Sequence, residues 1–125
     1  SIMFVTEDDV PTTIEVKRQP VIDEDGWTEE VAVDSPSMYS VNYYLDGTLV
    51  MIFHQTRINS ENMWSDDTDV TIQEIYVAQN EGALLKYANG NTVIAWSDGD
   101  YSYSLLRRID TISEEELLKI AETVH

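Results

Sequence analysis

Residues 83–106 read ALLKYANGNTVIAWSDGDYSYSLL, three apolar and aromatic runs separated by Asn89-Gly90 and Asp98-Gly99. Both central residues of a type I′ hairpin turn need positive φ. Asn-Gly and Asp-Gly tolerate this best, and the turn twists with the strands it joins. Ala83 to Ala88 therefore faces Thr92 to Trp96, and Val93 to Trp96 leads on into Tyr101 to Leu106. The two hairpins share a strand, which makes the stretch an antiparallel meander.

The same signal recurs outward from this stretch. Asp46-Gly47 joins Tyr39 to Leu45 with Thr48 to His54, two runs rich in Tyr, Val, Ile and Phe, and Asp25-Gly26 marks a fourth turn of the same kind. A strand is expected from Val70 to Ala78, where the apolar parity shifts between Ile72 and Ile75 and points to a bulge or a mixed environment. Thr12 to Lys17 and Glu29 to Val33 each suit a short strand, with Pro11, Pro20 and Asp23-Glu24-Asp25-Gly26 as breaks. Residues 57–69, RINSENMWSDDTD, form a polar connection with room for a helical turn.

At the end of the chain the period changes. Ser113-Glu114-Glu115-Glu116 has the form of a capping box, and Leu117, Ile120, Ala121 and Val124 recur at i, i+3, i+4 and i+7. A helix is expected from 113 to 124, with glutamates in the first turn where the helix dipole favours them and Glu115 able to pair with Lys119. The expected fold is α+β: a single curved antiparallel sheet of six to eight strands, with the C-terminal helix packed on one face. All 125 residues make one domain: N-terminal strands and loops over 1–38, the hairpin meander over 39–108 and the helix over 113–124. The core is expected from Leu49, Met51, Phe53, Ile75, Val77, Ile94, Trp96, Leu105, Leu117, Ile120, Ala121 and Val124.

Seven Lys and Arg stand against 24 Asp and Glu, a formal net charge of −17, while 42% of residues are hydrophobic. That apolar share supports a core. The charge repels phosphate backbones and anionic headgroups, so nucleic acid is excluded as a partner. Cysteine is absent, which removes disulfides, thiolate nucleophiles and Cys-ligated zinc. No apolar run spans a bilayer, so this chain is not expected to insert directly into a membrane.

No constellation marks catalysis. Asp23-Glu24-Asp25-Gly26 lacks the ligand spacing of a calcium loop, and Asp66-Asp67-Thr68-Asp69 reads equally as an oxygen-rich cation site and as a solvated loop. His54 ends a strand-like run, where alternation puts it on the face of Ile52 and Val50. Neither a Gly-x-Ser-x-Gly elbow nor a phosphate-binding glycine loop occurs. The expectation is no enzyme, no catalytic or metal-binding residue and no cofactor. Tyr39, Tyr43, Trp96, Tyr101 and Tyr103 sit in expected strands, Tyr39 with Tyr43 and Tyr101 with Tyr103 sharing a face by period two. Cross-strand aromatic pairing is their ordinary use; on a curved sheet left partly open they are the candidates to line an apolar groove.

From residue 43 onward the chain resembles a family, a domain of unknown function found at the extracytoplasmic C-terminus of Gram-positive membrane-anchored, anti-sigma-factor-like proteins. The residues that carry the resemblance are Ile52-Phe53-His54-Gln55, Glu74-Ile75-Tyr76-Val77, Gly82-Ala83, Ile94-Ala95-Trp96, Tyr101-Ser102-Tyr103-Ser104-Leu105 and the helix from Ser113. The first 38 residues carry none of it. The resemblance implies a curved sheet related to lipoprotein-carrier and sigma-regulator sensor folds, with Gln55, Trp96 and Tyr103 as structural positions of the pattern. It implies no reaction. The function expected from it is a non-enzymatic sensor or interaction domain on the extracytoplasmic side of a bacterial envelope, tethered through a segment outside this chain and working through protein partners. The alternative is a carrier of a lipid or other small hydrophobic ligand on the concave sheet face.

Overall fold

The computed structural model describes residues 10–58, 69–109 and 111–125. Among the described residues seven strands, β1 (Trp27–Asp34), β2 (Met38–Leu45), β3 (Thr48–Arg57), β4 (Val70–Val77), β5 (Asn80–Tyr87), β6 (Thr92–Ser97) and β7 (Tyr101–Arg107), precede one helix, α1 (Glu114–Ala121). They form a single open sheet in the order β1-β2-β3-β7-β6-β5-β4, every neighbouring pair antiparallel. Two meanders, β1-β2-β3 and β4-β5-β6-β7, meet where β3 pairs with β7. The expected α+β architecture and strand number are those observed.

One turn is type I′: Asp46 and Gly47 have φ of 51° and 84°. At the other Asx-Gly pairs only the glycine is positive, which corrects the expectation of four alike turns. The loops after β5 and β6 are longer than two residues, and there the side-chain oxygen closes the turn instead. Asn89 Oδ1 accepts the Asn91 N–H at 2.9 Å, and Asp98 Oδ1 accepts the N–H groups of Asp100 and Tyr101 at 2.9 and 3.0 Å. The β4–β5 hairpin turns through Ala78-Gln79 with Ala78 at φ 55°. Without a glycine there, the sequence does not announce that turn.

Side chains alternate between an inner and an outer face. The inner face collects Tyr39, Val41, Tyr43, Met51, Phe53, Leu84, Ile94, Trp96, Tyr103 and Leu105, and Leu117, Ile120 and Ala121 of α1 join that core. Burying each of the larger of these contributes roughly 1.5–3 kcal/mol. A smaller cluster of Leu85, Val93 and Ala95 lies on the outer face. Of the expected core, Leu49 is displaced. The β2–β3 register shifts between Tyr43 and Tyr44, which pair with Met51 and Leu49, so Val50 is the extra residue of a bulge. The bulge swaps the parity, and Val50 is buried where Leu49 is only partly covered. β4 has no bulge; its shifted pattern is the mixed environment of an edge strand, with Ile75 and Val77 facing inward and Ile72 and Tyr76 outward to solvent.

Helix α1 begins where expected, Ser113 Oγ accepting the Glu116 N–H at 3.1 Å. Its last residues tighten into i→i−3 bonds from Thr123 to Ile120 and Val124 to Ala121, so the regular helix ends at Ala121. Lys86 of β5 pairs with Glu114 at 3.0 Å and ties the helix start to the sheet. Glu115 and Lys119 lie 3.7 Å apart on the exposed side, an arrangement worth a few tenths of a kcal/mol.

Candidate functional site

Residues 14–22 cross the inner face of the sheet as an extended segment. They form no strand, which corrects the expectation for Thr12 to Lys17. A strand's backbone groups pair with a neighbouring strand, whereas here they are met by side chains rising from the sheet below. Gln55 is fully buried on β3, at the next inward position after Met51 and Phe53. Its Nε2 donates to the Val16 carbonyl and its Oε1 accepts the Arg18 N–H, both at 2.8 Å. The Tyr101 hydroxyl oxygen accepts the N–H groups of Glu15 and Val16 at 3.0 and 3.3 Å. The Ile14 N–H donates to the Pro36 carbonyl at 2.7 Å.

Further along the segment, the Tyr39 hydroxyl donates to Gln19 Oε1 at 2.7 Å and the Tyr43 hydroxyl to the Pro20 carbonyl at 3.3 Å. Gln19 Nε2 donates onward to Glu29 at 2.7 Å. The Val21 N–H donates to Thr123 Oγ1, whose own proton goes to the Ile120 carbonyl, so the segment is fastened to α1 as well as to the sheet. Apolar contacts complete the seal: Ile14 and Ile22 pack on the core and Pro20 is fully buried. Burial, with Glu29 nearby, raises the pKa values of Tyr39 and Tyr43, which keeps both hydroxyls as donors.

Of the five groove candidates, Tyr39, Tyr43 and Tyr101 are thus brought together beneath this segment as its hydrogen-bond partners. Tyr103 and Trp96 lie beside them as packing. The Tyr103 ring stacks against Trp96 at 5.4 Å and Phe53 at 6.1 Å between centroids, and its hydroxyl donates to Asp98 at 2.6 Å. Burial and that carboxylate both raise the Tyr103 pKa. Burial works to raise the Asp98 pKa too, but the Tyr103 hydroxyl, the Tyr101 and Asp100 amides and the Arg18 guanidinium outweigh it and hold the carboxyl below its usual range. All five residues are under a tenth exposed. The depressions at the two ends of the segment are open to solvent, each about 350 Å³. One is walled by Pro11, Val16 and the groove candidate Tyr101 together with Glu15, Arg18 and Asp100, the other by Val21, Ile22 and Ile120 together with Asp23, Glu24, Glu116 and Lys119. Charged groups thus line both.

His54 lies on the outer face between Ser40 of β2 and Ser104 of β7. It shares that face with Ile52; the bulge removes Val50 to the core. Burial lowers its pKa. Among the described residues no group of three or more Asp, Glu or His could hold a metal ion. Asp66, Asp67, Thr68 and Trp64 lie outside the described residues, as does most of the polar connection that contains them. Among the described residues no helix is long and apolar enough to cross a membrane.

The anchoring residues that sequence reasoning passes over are Gln55, as a partner of the segment, and Gln19. Gln55 left a signal: a polar side chain in the inward register of an otherwise apolar strand must find hydrogen-bond partners on burial. Gln19 left none, because its role depends on where the segment lies. Comparison with curated proteins and with solved structures finds no match. The model of a family described as a domain of unknown function (DUF4367) matches residues 4–124, which extends the resemblance across the N-terminal segment as well, and the chain belongs to that family.

Proposed function

We propose that this domain is a non-enzymatic sensor or interaction module, working through protein contact on the extracytoplasmic side of a bacterial envelope, within a membrane-anchored regulator of the anti-sigma-factor-like kind. The observation that supports contact over carriage is the occupied inner face: Gln55 and Tyr101 hold the chain's own backbone over the aromatic residues that a ligand would need. An apolar ligand would have to displace residues 14–22 and leave Nε2 and Oε1 of the buried Gln55 without their partners. Each such buried loss costs about 1–3 kcal/mol. The envelope setting is supported by the sequence resemblance, and the charge of −17 suits a domain that stays off anionic lipid surfaces.

The test is native mass spectrometry of the domain with and without envelope lipid extract. A clean unliganded mass at every lipid concentration supports the interaction module. A bound acyl species that is lost on Tyr39→Ser and Tyr43→Ser would replace this reading with that of a carrier.

A further inference from the structure

An open sheet has two edges, and an unguarded edge recruits further strands through its free N–H and C=O groups. The edges of this sheet are unlike. β1 is guarded: its register with β2 breaks between Val31 and Val33, and Glu29, Glu30 and Asp34 line it. Asp34 is further held by Lys17 at 2.7 Å, and Glu29 by Gln19. β4 has no such break, and its one charged residue, Glu74, is held by no partner among the described residues. It pairs with β5 through eight successive residues without a break, and its sequence, VTIQEIYV, contains neither Pro nor Lys. Among the described residues no strand lies beyond it.

The outward side chains of β4 say what would fit. Ile72 and Tyr76 are 56% and 64% exposed, more than any other large apolar residue described. Glu74 lies between them on the same face, and Glu81 of β5 stands directly opposite Tyr76. Neither carboxylate has an ion-pair partner among the described residues. An apolar, acidic, apolar row beside a free strand edge is complementary to an apolar, basic, apolar one.

We propose that β4 is a docking edge for an extended segment of a partner protein, added as an eighth strand. The segment would carry Lys or Arg facing Glu74 and apolar residues two positions to either side, against Ile72 and Tyr76. Backbone hydrogen bonds supply the binding and the alternating side chains the selectivity, the mode known as strand addition. A second copy of this chain fits poorly. In the two-fold register that sets Ile72 against Tyr76, Glu74 meets its own copy, and like charges directly opposite are destabilising. Each copy also carries −17. The inference rests on the interaction-module reading and names the chemistry of the partner.

The test is backbone amide hydrogen exchange of the whole chain, followed residue by residue by NMR with two capped octapeptides. One alternates Thr with Val, Lys, Val and Arg; the other has Glu in place of Lys and Arg. The cationic peptide is expected to slow exchange at alternate β4 amides, and Glu74→Lys to weaken it roughly tenfold while admitting the acidic peptide. Ile72→Lys with Tyr76→Lys, both at exposed positions, is expected to abolish the protection with the melting temperature held. The inference is overturned if β4 exchange is indifferent to both peptides, if the two peptides protect equally, or if protection rises with protein concentration alone. Any of these beside a clean unliganded mass removes the docking edge and leaves the interaction module standing. A bound acyl species removes the module itself.

Discussion

Beneath residues 14–22, the inward side chains of β2, β3 and β7 are buried and their polar atoms are spent on the chain's own backbone and side chains. At the far end of the same sheet, β4 leaves Ile72, Tyr76 and Glu74 in solvent. Both regions are β-sheet of similar composition, with aromatic and β-branched residues in alternation. What separates them is the face they stand on: residues 14–22 and α1 cover the inner face, whereas Ile72, Glu74 and Tyr76 lie on the outer face of an edge strand. Burial in this domain thus follows a piece of irregular chain as much as the sheet itself.

The comparison breaks most sharply at Phe53, which is fully buried and stacked near Tyr103. Phe53→Ala is expected to cost about 3–5 kcal/mol, read from the urea midpoint. If the loss is under about 1 kcal/mol, the inner face is not the interior of the domain. Next comes the hold on the segment. Gln55→Ala strands the Val16 carbonyl and the Arg18 N–H and is expected to cost about 2–4 kcal/mol. Gln55→Glu should recover part of this only at acid pH, where the protonated carboxyl keeps an acceptor for Arg18 and a donor for Val16, and none at neutral pH, where it would bury a carboxylate against the Val16 carbonyl. Hydrogen exchange at Arg18 distinguishes this from a general loss of stability, because its protection should fall further than that of β6.

Smaller effects come with pH. The Asp98 carboxyl is held below its usual range in the folded state, so its contribution is present above the ordinary aspartate pKa of about 3.9 and is lost as pH falls through the folded value. Asp98→Asn should flatten that acid limb. His54 titrates below the usual imidazole value of about 6.5, so the unfolded chain takes up its proton first. Stability should therefore decline as pH falls from neutral through that value, and level off once the folded imidazole is protonated. His54→Gln should abolish this slope; an unchanged slope would mean that the outer face does not bury the ring. The smallest effect belongs to the far edge. Tyr76→Ser, at an exposed position, should move stability by no more than about 0.5 kcal/mol, and a larger loss would mean that β4 is an interior strand.

Much of the fold is legible because its signals are local. The Asx-Gly pairs mark three of the hairpins, and the period of Leu117, Ile120, Ala121 and Val124 with the Ser113 cap marks the helix. The turn at Ala78-Gln79 is not legible, since Ala reaches positive φ there only because two well-paired strands demand it. The bulge at Val50 is likewise hidden: a register depends on the partner strand, and Leu49 and Val50 are equally apolar. The aromatic candidates were legible as residues sharing a face. What they face was not.

Local pattern is enough for an acidic α+β domain, the antiparallel meander with its terminal helix, and about half of the residues of its core, because turn chemistry and side-chain period act within a few residues. That residues 14–22 lie on the sheet and not within it emerges from the folded chain alone. So do the service of Gln55 and Tyr101 as their backbone partners and the different guarding of the two sheet edges. These depend on contacts between residues as many as 102 positions apart. No local pattern records such contacts, because each is set by where the rest of the chain has come to lie.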